Sequence, residues 1–147
     1  MPPLRYGIPA LSLARGLRPP PPKTIGIPRQ TTKLFAMFDP NFVREISVQE
    51  LKRLQDEKAD IQIVDVREPD ETAIATLNGL NIPLGQIDVR TQELDRQKPV
   101  IFHCKSGRRS EMAVLFLQQQ HGFENLYNLK GGILAYALEI DPNLSMY

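Results

Sequence analysis

The chain has one cysteine, Cys104, and it is followed by Lys105, Ser106, Gly107, Arg108, Arg109 and Ser110. The thiolate, not the thiol, is the nucleophile of cysteine chemistry, and this neighbourhood favours the thiolate. The apolar run Val100–His103 has the character of a buried strand that delivers Cys104 to its C-terminal end. The pattern beyond it predicts a helix over residues 110–120. The loop between is short, polar and basic, and it contains glycine. Such a loop can turn successive N–H groups inward and form a nest for an anion. The start of the following helix adds partial positive charge, and Lys105, Arg108 and Arg109 add full charges. All three effects lower a thiol pKa, which makes Cys104 a candidate nucleophile at neutral pH. The same cradle would hold a persulfide, whose terminal sulfur is anionic. A lone cysteine at a strand end is otherwise a small buried hydrophobe. The basic loop in a strand–loop–helix setting is what sets this one apart.

The elements that must position this loop follow from periodicity and turn signals. Strands are expected at residues 43–46, 61–66, 80–82, 100–103 and 126–128. A helix is expected to open at Ser47, with Glu50 completing a capping box and Val48, Leu51 and Leu54 on one face. It should end near Lys58. Residues 68–75 are expected to form a loop and a short helix, and residues 84–95 a weak helical segment. In the helix over 110–120, Ala113, Phe116, Leu117 and Gln120 share one face. Met112, Val114 and Leu115 fill most of the rest, so burial should be deep. Gly122 is placed to end that helix. Lys130-Gly131-Gly132 forms a turn into a final helix over 133–139. Strands alternating with helices define an α/β domain with a mostly parallel sheet, and its site belongs at the C-terminal ends of the strands.

Charge separates this domain, residues 43–142, from what precedes it. Residues 1–38 carry six bases and no acid, and eight of the 13 prolines, including Pro19 to Pro22 in a row. Residues 1–40 are therefore expected to be a disordered, Pro-rich basic arm. An acid-poor transit peptide, a linker and a start-site artefact (Met37 precedes the first globular segment) are three readings of it. Four consecutive prolines speak against an amphipathic targeting helix. No apolar run approaches the length of a membrane span. A single cysteine excludes an intramolecular disulfide, and a reducing, cytoplasmic compartment is expected; an organelle is the alternative if the arm is a transit peptide.

Four ordered segments resemble the rhodanese family. Cys104-Lys105-Ser106-Gly107-Arg108-Arg109-Ser110 looks like its active-site loop, a cysteine, four residues and an arginine. Asp65-Val66-Arg67-Glu68 resembles its early Asp-x-Arg signature, Asn81-Ile82-Pro83-Leu84 a middle segment, and Leu129-Lys130-Gly131-Gly132-Ile133 its C-terminal signature. The resemblance spans roughly residues 44–140. It implies a small α/β domain with a central, mostly parallel five-stranded sheet flanked by helices. It also implies a sulfurtransferase in which Cys104 takes sulfane sulfur, becomes a persulfide and passes it on. Lys105, Ser106, Gly107, Arg108 and Arg109 would form the binding loop, and the arginines would attract an anionic donor such as thiosulfate. Asp65 and Arg67 would be a supporting pair, or simply structural.

The chain departs from the family at Thr72, where an aromatic residue is usual, and at Ala75-Thr76-Leu77-Asn78-Gly79, where a Gly-His-Ile-like stretch is usual. That segment borders the site, so donor or acceptor preference is open. The closing Asp141-Pro142-Asn143-Leu144-Ser145-Met146-Tyr147 adds a finer resemblance. It looks like the C-terminal rhodanese domain of adenylyltransferases that activate sulfur-carrier proteins. The expected partners are thus a small sulfur donor or a protein persulfide, and a sulfur-carrier protein. No cofactor, metal, nucleic acid or membrane partner is expected.

Two other functions compete. A cysteine phosphatase needs five residues between cysteine and arginine, and here the sixth residue after Cys104 is Ser110. A catalytically silent binding module of the same fold typically lacks the cysteine. His103 alternates to the opposite side of its strand, so a packed residue is favoured over a general base. His121 ends a helix and is expected to interact with its dipole.

Overall fold

The computed structural model describes residues 38–147. The expected arm lies, up to residue 37, outside the described residues. Residues Pro40–Asp56 and Ile61–Tyr147 form one compact unit. Of the other unit, the described residues are Phe38, Asp39 and the turn Glu57–Asp60, where Lys58 takes φ 55°.

The larger unit is built on five strands: β1 (Glu45–Ile46), β2 (Gln62–Asp65), β3 (Leu80–Asn81), β4 (Val100–His103) and β5 (Leu126–Leu129). Their order across the sheet is β1-β5-β4-β2-β3, and every pairing is parallel. Parallel strands are covered on both faces, which suits the largely apolar run of β4 at the centre of the sheet. All four residues of β4 are buried, as are all four of β5. Four α-helices accompany the strands: α1 (Val48–Asp56), α2 (Pro69–Ile74), α3 (Arg108–His121) and α4 (Gly132–Glu139). The segment expected to be weakly helical instead holds two 3₁₀ pieces, Leu84–Val89 and Thr91–Glu93. Among the described residues no helix is long and apolar enough to cross a membrane.

Helix α1 begins with half of the expected capping box. The Glu50 N–H donates to Ser47 Oγ at 3.0 Å, while the Glu50 carboxylate turns to Arg53 at 2.6 Å. Its apolar face is buried as expected, through Val48, Leu51 and Leu54. Each such side chain contributes roughly 1.5–3 kcal/mol.

Helix α3 differs from expectation in two ways. It starts at Arg108, so Arg108 and Arg109 belong to its first turn rather than to the loop. Gly107, at φ 105°, supplies the left-handed residue that turns the chain into it. Its burial is also one-sided: Ser110, Ala113, Val114, Leu117 and Gln118 are buried, but Met112 is 60% exposed and Gln120 is exposed. A helix on the outer layer of a sheet buries one stripe, whatever apolar residues lie elsewhere on it. The helix ends at Gly122, φ 70°, as the sequence predicts.

Candidate active site

Cys104 follows β4 directly, and its sulfur sits inside the loop that leads to α3. The Gly107 N–H donates to Sγ at 3.1 Å and the Ser110 N–H at 3.4 Å. Ser110 Oγ lies 3.5 Å from the sulfur and 2.5 Å from Asn128 Oδ1. One hydroxyl proton cannot serve both, and the shorter distance gives it to Asn128. The two main-chain N–H groups are then the standing donors to sulfur. Asn128, on β5, also donates to the Gly107 carbonyl at 3.1 Å, so one buried amide fixes both Gly107 and Ser110.

A second wall comes from the turn into α4. Ile133 N–H donates to the Cys104 carbonyl at 2.9 Å and Leu134 N–H to the Lys105 carbonyl at 3.1 Å. Gly132, at φ 62°, approaches so closely that a Cβ there would sit 2.4 Å from the Lys105 oxygen.

Burial pushes the Cys104 thiol pKa up. The main-chain N–H groups of Ser110, Gly107 and Ser106 pull it down, and the net shift is downward. The side chain is 1% exposed.

The cations expected to surround this sulfur are mostly directed elsewhere. Arg109 forks onto Glu71 of α2 at 2.8 and 2.9 Å. That hydrogen bonding holds the Glu71 carboxyl at about 2 and raises the Arg109 pKa. The Lys105 ammonium lies 4.4 Å from the ring centre of Tyr147. Arg108 is exposed, and no ion pair or hydrogen bond engages its side chain among the described residues.

Asp65 and Arg67 are both buried and paired at 2.6 Å. Arg67 also donates to the Ala75 carbonyl at 2.7 Å and to Tyr147 OH at 2.8 Å. The Tyr147 hydroxyl in turn donates to Glu71 at 3.0 Å. Thr72, at the position that departs from the family, donates to Asp65 at 3.3 Å. Asp65, Arg67, Tyr147, Glu71 and Arg109 thus form one chain of polar contacts beside the loop. Burial raises the Asp65 pKa, but the hydrogen bonds and charge of Arg67 carry it below its usual value.

His103 is fully buried, and among the described residues neither ring nitrogen has a hydrogen-bond partner. Asp65 Oδ2 lies 3.9 Å from its Nε2. Burial lowers its pKa to about 4, so it packs as a neutral ring. His121 meets Asp88 at 2.8 Å, a side-chain partner for a residue expected to act on the helix dipole.

The structure brings Cys104, Ser106 and Gly107 together as a cradle, with Arg109 at its edge. Four participants lie outside the expected binding loop and supporting pair: Ser110 and Asn128 at the cradle, and Glu71 and Tyr147 at its rim. Ser110 was legible as the first residue past Arg109. The others reach the loop only through tertiary contacts. Chemically, a buried sulfur receiving main-chain N–H groups can exist as thiolate, and the same donors can receive the terminal sulfur of a persulfide.

Comparison with known proteins places the chain among relatives. Residues 47–139 match the model of the family described as "Rhodanese-like domain". A protein named "Sulfurtransferase" from Allochromatium vinosum is 35% identical over 96 residues, covering 65% of this chain and 89% of the relative. "Rhodanese-like/PpiC domain-containing protein 12, chloroplastic" from Arabidopsis thaliana is 40% identical over 71% of this chain. The chain spans only 38% of that plant protein's length. "Adenylyltransferase and sulfurtransferase MOCS3" from Xenopus laevis is 33% identical over 69% of this chain and 26% of its own length. Among solved structures, a rhodanese-related protein of Thermoplasma volcanium superposes with TM-score 0.59 at 31% identity. It covers 66% of this chain and 93% of that one.

Proposed function

The chain belongs to the rhodanese-like domain family, and from that premise we propose that it is a sulfurtransferase whose carrier is a Cys104 persulfide. The observation that carries the proposal is the placement of the Gly107 and Ser110 N–H groups on Cys104 Sγ. A thiolate held there attacks the outer sulfur of a donor. With thiosulfate, the Sγ–S bond forms, the donor S–S bond breaks, and sulfite leaves with the electron pair. With a protein persulfide, the leaving group is the donor thiolate. A nucleophilic acceptor then attacks the outer sulfur, and Cys104 departs as thiolate, which the same N–H groups receive.

The acceptor proposed is a sulfur-carrier protein. Support comes from the similarity to the adenylyltransferase and sulfurtransferase of Xenopus laevis. The loop closes on Arg109 as the fifth residue after Cys104, a span that suits one sulfur atom better than a tetrahedral phosphoryl group. The test is Cys104→Ser. Serine is nearly isosteric but forms no persulfide, so transfer from thiosulfate to cyanide should fall to the uncatalysed level with the melting temperature nearly unchanged. Substantial residual transfer would remove Cys104 from the mechanism.

A further inference from the structure

The segment after α4 looks at first like an exposed tail. Pro142, Asn143, Ser145 and Met146 are all exposed, yet Tyr147 beyond them is half-buried. Its side chain is held from three sides. The hydroxyl accepts from Arg67 at 2.8 Å and donates to Glu71 at 3.0 Å, and the ring faces Lys105 Nζ at 4.4 Å. These residues come from two stretches of the chain, Arg67 and Glu71 around the start of α2 and Lys105 in the Cys104 loop itself. Lys105 is the neighbour of the nucleophile, and Glu71 holds the arginine that closes the loop.

A small donor with two negative charges needs cations at this rim. Arg109 is already neutralised by Glu71. Lys105 directly follows Cys104 in the chain, and an aromatic face occupies its ammonium. We infer that Tyr147 is a specificity-determining residue that competes with the anionic end of a small donor for Lys105. Entry of a dianion requires the ring to swing off Lys105. A persulfide carried on a protein brings a single charge on the reacting sulfur and depends less on that displacement. This inference rests on the sulfurtransferase reading above, and it adds to it a residue that sets donor preference.

The test compares the full chain with Tyr147→Ala and Tyr147→Phe. Two quantities are read: the KM for thiosulfate, and the sulfite concentration that half-protects Cys104 from alkylation by neutral iodoacetamide. In Tyr147→Ala both should fall about fivefold, the scale of one lost cation–π contact. Tyr147→Phe loses both hydroxyl bonds but keeps the ring on Lys105, so it should lie between. Alkylation without sulfite should change less than twofold, as burial of the sulfur is not Tyr147's work. Unchanged or raised half-protection in both variants overturns the inference. So does the absence of protection at any sulfite concentration. An alkylation rate that rises as much as the sulfite affinity would make Tyr147 a steric cover and overturn it too. Sulfite protection reads binding alone. It therefore decides the role of Tyr147 even if thiosulfate deposits no sulfur on Cys104, the result that counts against the donor chemistry itself.

Discussion

The cradle around Cys104 and the charged rim beside it stabilise charge by opposite means. In the cradle the donors are main-chain N–H groups of Gly107 and Ser110, fixed by a left-handed glycine and by Asn128. None of them carries a net charge, and none can swing away. In the rim, long side chains do the work, and nearly every charge has a partner: Asp65 with Arg67, Glu71 with Arg109, Lys105 with the Tyr147 ring. A cradle of N–H groups can accept a thiolate or a persulfide without rearranging. A rim of paired charges responds to whatever arrives, because a ligand must compete with a partner already in place. Under the proposed function, reactivity belongs to the cradle and selectivity to the rim.

The largest effect expected on this comparison is structural. Asp65→Asn would leave the Arg67 guanidinium buried beside a neutral amide, since both side chains are at most 1% exposed. Breaking one side of a buried pair costs about 3–5 kcal/mol, measurable by urea unfolding. A loss under about 1 kcal/mol would mean that water reaches Arg67, and the rim would not be a brace at all.

The next effect strikes the cradle from behind. Gly132→Ala adds a Cβ 2.4 Å from the Lys105 carbonyl oxygen, at φ 62°. The expected cost is about 2–3 kcal/mol from strain and overlap. Sulfur loading of Cys104 should slow with it, because the loop carrying the N–H donors must shift. Destabilisation with unchanged loading would show that the cradle tolerates movement of α4.

The smallest effect separates the two regions by pH. Glu71 has a folded pKa of about 2 against an ordinary 4.5. A depressed carboxyl contributes stability that is fully present above the unfolded pKa. That stability is lost as pH falls from about 4.5 toward 2. The pair is partly exposed, with side-chain exposures of 35% for Arg109 and 18% for Glu71, so the contribution is screened to about 1 kcal/mol. Wild type should therefore be more stable than Glu71→Gln near neutrality, and the gap should close toward pH 2. A gap that persists in acid would mean that the carboxylate is not what stabilises.

The sequence revealed these two regions unequally. Cys104, Ser106, Gly107 and Arg109 were legible because the cradle closes within a few consecutive residues, between an apolar strand and an apolar helix. A mostly parallel sheet was legible from the strongly apolar run at β4 and the alternation of strands with helices, and the structure makes every pairing parallel. The rim was not legible in the same way. Glu71 lies 38 positions before Arg109, and Tyr147 lies 80 positions beyond Arg67. No local pattern announces a pair at that separation, and the expectation that all the loop cations face the sulfur came from reading them without partners. Asn128 was equally hidden: it sits in a short strand whose polar residue is buried to reach another loop. Helix α3 shows the limit of periodicity. Met112 fits a fully buried helix by composition, but only the stripe that meets the sheet is covered.

The central claim, that Cys104 carries the sulfur, is tested most directly by intact-protein mass spectrometry after incubation with thiosulfate and then with cyanide. The account predicts a gain of one sulfur mass, about 32 Da, located on Cys104 and removed by cyanide. A folded protein with an intact thiol that gains no mass from thiosulfate, and none from a protein persulfide donor, would contradict it.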